Sequence, residues 1–144
     1  MSESRKVRLR ELGKRIWCEI IVERLPKDGL IALRSAVLEK SPRLVQRVTV
    51  YPTLPPDSIP EKMCAIAFAL NAAHGPFCSA ELVDVYLDFA RHLDLRIARK
   101  VRGGSLAAFF HWYDCSDWND VQKVLLETIE RRLSISTKSS VTSE

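Results

Sequence analysis

The sequence has little of what would make it a fibre or a membrane protein. Its 144 residues include only 5 glycines and 7 prolines, too few for a fibrous or disordered chain. No apolar run reaches the ~18–20 residues that span a bilayer. The first residues carry mixed charge and no apolar stretch, so no secretion signal is recognised. We therefore expect an intracellular protein, cytoplasmic or nuclear, without membrane insertion.

Cysteine pairs and enzyme motifs are also missing. The 4 cysteines lie far apart with no Cys-x-x-Cys spacing, so we expect reduced thiols and no disulfide scaffold. The chain has no glycine-rich phosphate loop, no nucleophile elbow and no His-Glu-x-x-His motif. These absences favour a protein that is not an enzyme and needs no cofactor. An active site assembled from distant residues would leave no local motif, so an enzyme stays an alternative.

The segment from Met63 to Ala73 is the most apolar in the chain. Asn71 is its only polar side chain, and it is rich in alanine, the strongest helix former. A helix that is apolar on every face must be buried. Because alanine is small, neighbouring helices can approach such a helix closely. We predict a central buried helix from about Glu61 to Ala73.

Apolar residues at spacings of three and four predict further amphipathic helices. They cover residues 7–24, 30–39, 79–93, 106–113 and 117–133, and a separate basic helix at 95–102 is a further option. The β-branched segment from Val45 to Tyr51 leaves helix and strand open. We expect an all-α fold: a single compact domain, residues 1–133, of six or seven helices packed around the central helix. A flexible Ser/Thr-rich tail is expected at residues 134–144.

Polar and special residues mark the predicted helix boundaries. Asp28 is expected to cap the second helix, and Ser41 followed by Pro42 is typical of another helix start. Gly75 is expected to end the central helix in the left-handed conformation that favours glycine. These boundaries complete the expected domain.

Two basic clusters stand out in a chain of net charge +4. The first contains Arg8, Arg10, Lys14 and Arg15, and the second contains Arg96, Arg99, Lys100 and Arg102. Such runs are commonly solvated helix faces. If the two clusters met on one surface, they would form a positive patch able to bind the phosphates of RNA or DNA, or an acidic partner.

Aromatic side chains are concentrated in one short stretch, with Phe109, Trp112, Tyr113 and Trp118 at its centre. Core packing is the default interpretation, because aromatic residues bury the largest area in a small helical domain. Any part of this group that remained exposed would instead predict a partner-binding surface.

A repeated His-x-x-x-Cys spacing is consistent with a metal site. It occurs at His74 and Cys78 and again at His111 and Cys115. Structural zinc sites use four nitrogen and sulfur ligands, which come as close pairs separated by a long insert. Against zinc, a free cysteine commonly behaves as a small buried hydrophobe.

Three classes of function are consistent with these features. The leading hypothesis is a non-enzymatic α-helical interaction or regulatory protein that binds a protein partner or self-associates through helix faces. The alternative is a nucleic-acid-binding protein that uses the two basic clusters. The third is an enzyme without a recognisable motif.

Overall fold

The computed structural model describes residues 2–47, 57–96 and 105–142, without the side chains of residues 94–96, 105 and 135–142. Over these ranges the chain forms one compact all-α domain of six helices and no strand, which confirms the predicted fold class. The first helix, α1, spans Glu3–Ile16 and continues through a π-helical turn, Trp17–Ile21, into Val22–Arg24. The others are α2 (Lys27–Leu38), α3 (Ala65–His74), α4 (Ser79–Arg96), α5 (Ser105–Cys115) and α6 (Trp118–Thr142).

Helix α1 begins earlier than predicted and changes register near its end. Ser2 caps it, since its hydroxyl oxygen accepts a hydrogen bond from the Arg5 amide at 3.2 Å. The π-helical turn fits an extra residue into the helix and rotates the last turn relative to the first ones. Trp17 and Ile21 are therefore fully buried, whereas Ile20 is only half-buried.

Two glycines allow helices to cross at very short distance. A Cβ atom on Gly13 would overlap the backbone carbonyl of Ala108, so α1 and α5 touch there backbone to backbone. A Cβ atom on Gly29 would overlap the Ala69 carbonyl in the same way, where α2 crosses α3. The prediction that small residues let helices approach the central helix closely is confirmed at Ala69.

The central helix α3 is buried as predicted but shorter. Its apolar residues through Leu70 are buried except for Phe68, which is half-buried. The helix starts at Ala65 and not near Glu61, because the preceding residues are extended. There the Met63 amide donates to the Arg43 carbonyl at 2.7 Å, next to an isolated parallel bridge between Leu44 and Met63.

The residues predicted to mark helix boundaries have roles in the structure that differ from the predicted ones. Pro26 and not Asp28 occupies the N-cap of α2, and Asp28 lies in its first turn. Ser41 begins a turn and no helix, although its hydroxyl oxygen accepts from the Arg43 amide. Gly75 has φ −84°, so it ends α3 in an extended conformation and not in the left-handed one.

Three predicted segments reach the limits of the described residues. Helix α4 continues to Arg96, and the remainder of the predicted basic helix, at 97–102, lies outside the described residues. Most of the segment from Val45 to Tyr51 lies outside them as well. Helix α6 continues to Thr142, through most of the predicted flexible tail, because adding residues to a formed helix costs far less than starting one.

A buried hydrogen bond joins α6 to the π-helical turn. The indole N–H of Trp17 donates to Thr128 Oγ1 at 2.9 Å, and both side chains are buried. The Thr128 hydroxyl in turn donates to the Val124 carbonyl at 2.7 Å. Both side chains therefore have hydrogen-bond partners inside the core, as buried polar groups require.

Replacing Thr128 with valine should lower the free energy of unfolding by about 1–3 kcal/mol, because the buried Trp17 N–H loses its acceptor. Urea unfolding followed by circular dichroism measures this change. The double variant with Trp17→Phe should show a coupling energy, since the two changes remove one shared bond. A Thr128→Val protein as stable as the parent would contradict the importance of the bond.

Candidate functional site

The aromatic stretch lies mainly in the core and does not form an exposed aromatic surface of its own. Phe109 and Tyr113 are fully buried, and Trp112 is 5% exposed. Phe109 stacks on Tyr113 with ring centroids 5.3 Å apart and also contacts Trp17 at 5.9 Å. Burial of the large apolar rings against each other explains why these side chains face inward.

Trp118 differs from the other three because it remains half-buried. Its ring meets Tyr113 edge-on at 5.8 Å, and its outer part lines a shallow depression of about 180 Å³ beside Leu44 and Gln122. This depression is smaller than the roughly 300–1,000 Å³ usual for ligand sites. Trp118 alone does not make a partner surface of useful size.

The first basic cluster is divided between two faces of α1. Arg8 and Arg15 are exposed on one face, and Arg15 lies 3.9 Å from Glu19 in an ion pair. Arg10 and Lys14 face another direction and line an open groove. The four basic residues therefore do not form one continuous patch.

The second basic cluster falls largely outside the described residues. Arg99, Lys100 and Arg102 lie beyond them, and the side chain of Arg96 is not described. A joint nucleic-acid surface made by both clusters stays a prediction.

Two residues of the first basic cluster, Arg10 and Lys14, line an open groove of about 500 Å³. We call it the α1–α6 groove. One wall comes from α1 and the other from α6, and the end of α5 lies between them. The lining residues are Val7, Arg10, Glu11 and Lys14 (the α1 wall), Asp120, Lys123, Val124 and Glu127 (the α6 wall), and Trp112 and Ser116.

The two walls run in the same direction. The side chain of Trp17 on α1 donates a hydrogen bond to Thr128 on α6. Further along both helices, Arg132 Nε lies 3.5 Å from Glu23 Oε2. Because both contacts follow the same order along the chain, α1 and α6 are parallel. The lining residues of α1 and α6 precede Trp17 and Thr128 in the chain. The hydrogen bond between these two side chains therefore joins the helices at one end of the groove.

Each wall of the groove carries one apolar side chain among its charged residues. Val7 is 44% exposed on the α1 wall. Val124 is half-buried on the α6 wall, and the edge of Trp112 also lines the groove. A valine among charged residues on each wall gives the groove a place for apolar side chains of a ligand.

The charges on the two walls have opposite balance. The α1 wall carries two basic residues, Arg10 and Lys14, and one acid, Glu11. The α6 wall carries two acids, Asp120 and Glu127, and one base, Lys123. A phosphate backbone in this groove would meet the carboxylates as well as the cations, so the groove is poorly suited to nucleic acid.

The buried titratable groups lie elsewhere and serve the core. Cys64 is the N-cap residue of α3, and burial raises the pKa of its thiol to about 11. Burial also raises the pKa of Tyr113, whose hydroxyl donates to the Val45 carbonyl at 3.0 Å. A thiol whose pKa is raised in this way is a poor nucleophile at neutral pH.

The four zinc-candidate residues are not brought together. Among the side chains that the structure describes, no three from His, Cys, Asp or Glu gather closely enough to hold a metal ion. His74 and Cys115 are exposed, and Cys78 and His111 are half-buried. The zinc hypothesis stays a prediction without geometric support.

Comparison with family models, curated proteins and solved structures finds no match to the chain. In the part of the chain that is described, no helix is both long and apolar enough to cross a bilayer.

Most of the groove could not be predicted from the sequence. Glu11 stands out there only as a lone acid in a basic run, and Asp120 only as a charge matched to the helix dipole. The available signal is an apolar residue, Val7 or Val124, in the middle of a charged helix face. This signal is weak, because single exposed apolar residues are common on protein surfaces.

Proposed function

We propose that the chain is a protein-interaction module that binds an amphipathic helix of a partner protein in the α1–α6 groove. The observation that carries the proposal is the groove itself, in which each wall has one valine among charged side chains. Helix-binding proteins use this arrangement: apolar anchors of the ligand helix enter the groove, and charged rims set its specificity.

The dimensions of the groove suit a helix of the partner. Val7 and Lys14 on the α1 wall are separated by about 10 Å along the helix axis, and Asp120 and Glu127 by the same distance. Two helical turns of a ligand span that distance. Three apolar anchors at i, i+4 and i+7 would therefore fit within it.

A substitution at Val7 tests the proposal with little effect on the fold. Val7→Glu places a carboxylate in the apolar part of the groove, so the affinity for a ligand helix should fall at least about tenfold. Ile31→Glu is a matched control, because Ile31 is 46% exposed against 44% for Val7 and lies on α2, outside the groove. Both variants should keep the melting temperature of the parent within a few degrees.

The ligands come from a phage-displayed library of amphipathic helices of about 18 residues, long enough to be helical in isolation. Fluorescence anisotropy then measures the affinity of each selected peptide for the parent and the two variants. Selected peptides should bind the parent and Ile31→Glu equally and Val7→Glu weakly. A library that yields no binder, or binders unaffected by Val7→Glu, would overturn the proposal.

The nucleic-acid alternative is tested in the same assay. An RNA or DNA oligonucleotide should bind weakly if at all, since the acids of the α6 wall repel phosphate. Tight, salt-sensitive binding of an oligonucleotide that survives Val7→Glu would favour the alternative over the helix-binding groove.

A further inference from the structure

The opposite charge balance of the two walls determines what kind of helix fits. We infer that the α1–α6 groove selects a helix with split charges: an apolar face flanked by an acidic edge and a basic edge. The inference rests on the proposed function and specifies its partner class. The charges of six side chains on the two walls support it.

The acidic edge of such a helix lies along α1. There Arg10 and Lys14 stand one helical turn apart on the groove side, so two acids of the ligand at the same spacing can face them. A ligand with two basic edges would instead bring cations against this wall. Its affinity would fall through like-charge repulsion.

The basic edge lies along α6. Asp120 and Glu127 are two turns apart on this wall, with Lys123 between them. A ligand with two acidic edges would meet these carboxylates. Uniform charge of either sign therefore conflicts with the net charge of one wall, whereas a split pattern matches the net charge of both.

Three synthetic peptides of about 18 residues, with one common apolar face, test the selection. The first has one edge of Glu and one of Lys, the second has Glu on both edges, and the third has Lys on both edges. The parent protein should bind the split peptide about tenfold more tightly than either uniform peptide at low salt, because each exposed charge pair contributes only modestly. The difference should shrink in high salt.

Reversing the α1 wall should change the preference. In Arg10→Glu with Lys14→Glu both walls are acidic, so the peptide with Lys on both edges should become the tightest ligand. The control Arg8→Glu with Arg15→Glu makes the same change of net charge on the same helix, outside the groove. The control should still prefer the split peptide.

The outcomes separate this inference from the proposed function. Equal binding of all three peptides, with Val7→Glu still weakening each of them, would overturn the charge selection and leave the helix-binding groove. A control variant that changes preference as much as the wall variant would also overturn it, since net charge alone would then explain the result. No binding by any of the three peptides would count against both.

Discussion

Replacing Gly13 with alanine should lower the free energy of unfolding by about 2 kcal/mol, because the new methyl group would force α1 away from the Ala108 carbonyl. The sign of the change is informative, because helix propensity alone predicts that Gly13→Ala raises the free energy of unfolding by about 1 kcal/mol. For a domain of this size the melting temperature should fall by roughly 5–10 °C. Differential scanning calorimetry measures both the sign and the size.

A reciprocal substitution on the neighbouring helix serves as the control. Ala107 is exposed on α5, so Ala107→Gly should cost only the propensity difference of about 1 kcal/mol. A Gly13→Ala protein more stable than the parent would show that α1 and α5 do not cross at backbone contact. The position of the α1 wall of the groove would then also be wrong, because this crossing fixes where α1 lies against α5.

Replacing Phe109 with alanine should lower the free energy of unfolding by about 3–5 kcal/mol, the cost of emptying a large buried aromatic site. Phe109 is fully buried and contacts Trp17 and Tyr113. The size of the effect separates the two interpretations of the aromatic stretch. A residue of a partner surface would change binding and leave stability nearly unaltered.

Leu87→Ala provides the exposed reference, since Leu87 is 46% exposed and should change stability by no more than about 0.5 kcal/mol. Both variants are measured by urea unfolding. A Phe109→Ala protein as stable as Leu87→Ala would contradict the core placement of the aromatic stretch.

The sequence predicts well those features that depend on neighbours along the chain. The apolar run containing Ile66 and Leu70 identifies the buried helix α3, since no other environment accommodates a helix without a polar face. The spacing of Val121, Leu125 and Ile129 likewise predicts the buried side of α6. Both results need only the residues of one segment of the chain.

Features that depend on contacts between residues far apart in the chain could not be predicted from the sequence. Gly13 is only a weak point of a helix until Ala108 is seen across from it. Met63 belongs to the predicted central helix, yet its amide bonds to the backbone of Arg43. In both cases the deciding group lies far away in the chain, so propensity and periodicity contain no information about it.

The candidate site shows the same limit. The basic residues Arg10 and Lys14 are recognisable in the sequence, but their companions Asp120 and Glu127 belong to a helix about a hundred positions later. Taken alone, the cations are typical of a solvated helix face, with a polyanion ligand as the alternative. Together with the acids, the same cations form one wall of a groove with split charge, which is the basis of the proposed helix ligand.

The most direct test of the groove is a map of where a ligand helix binds. Titration of the split-charge peptide into 15N-labelled protein should move the amide resonances of residues 7–14 and 120–127, which form the two walls. Resonances of exposed residues elsewhere, such as Ile31 and Leu38 on α2, should stay in place. Shifts confined to α2, with both walls unchanged at saturation, would contradict the account.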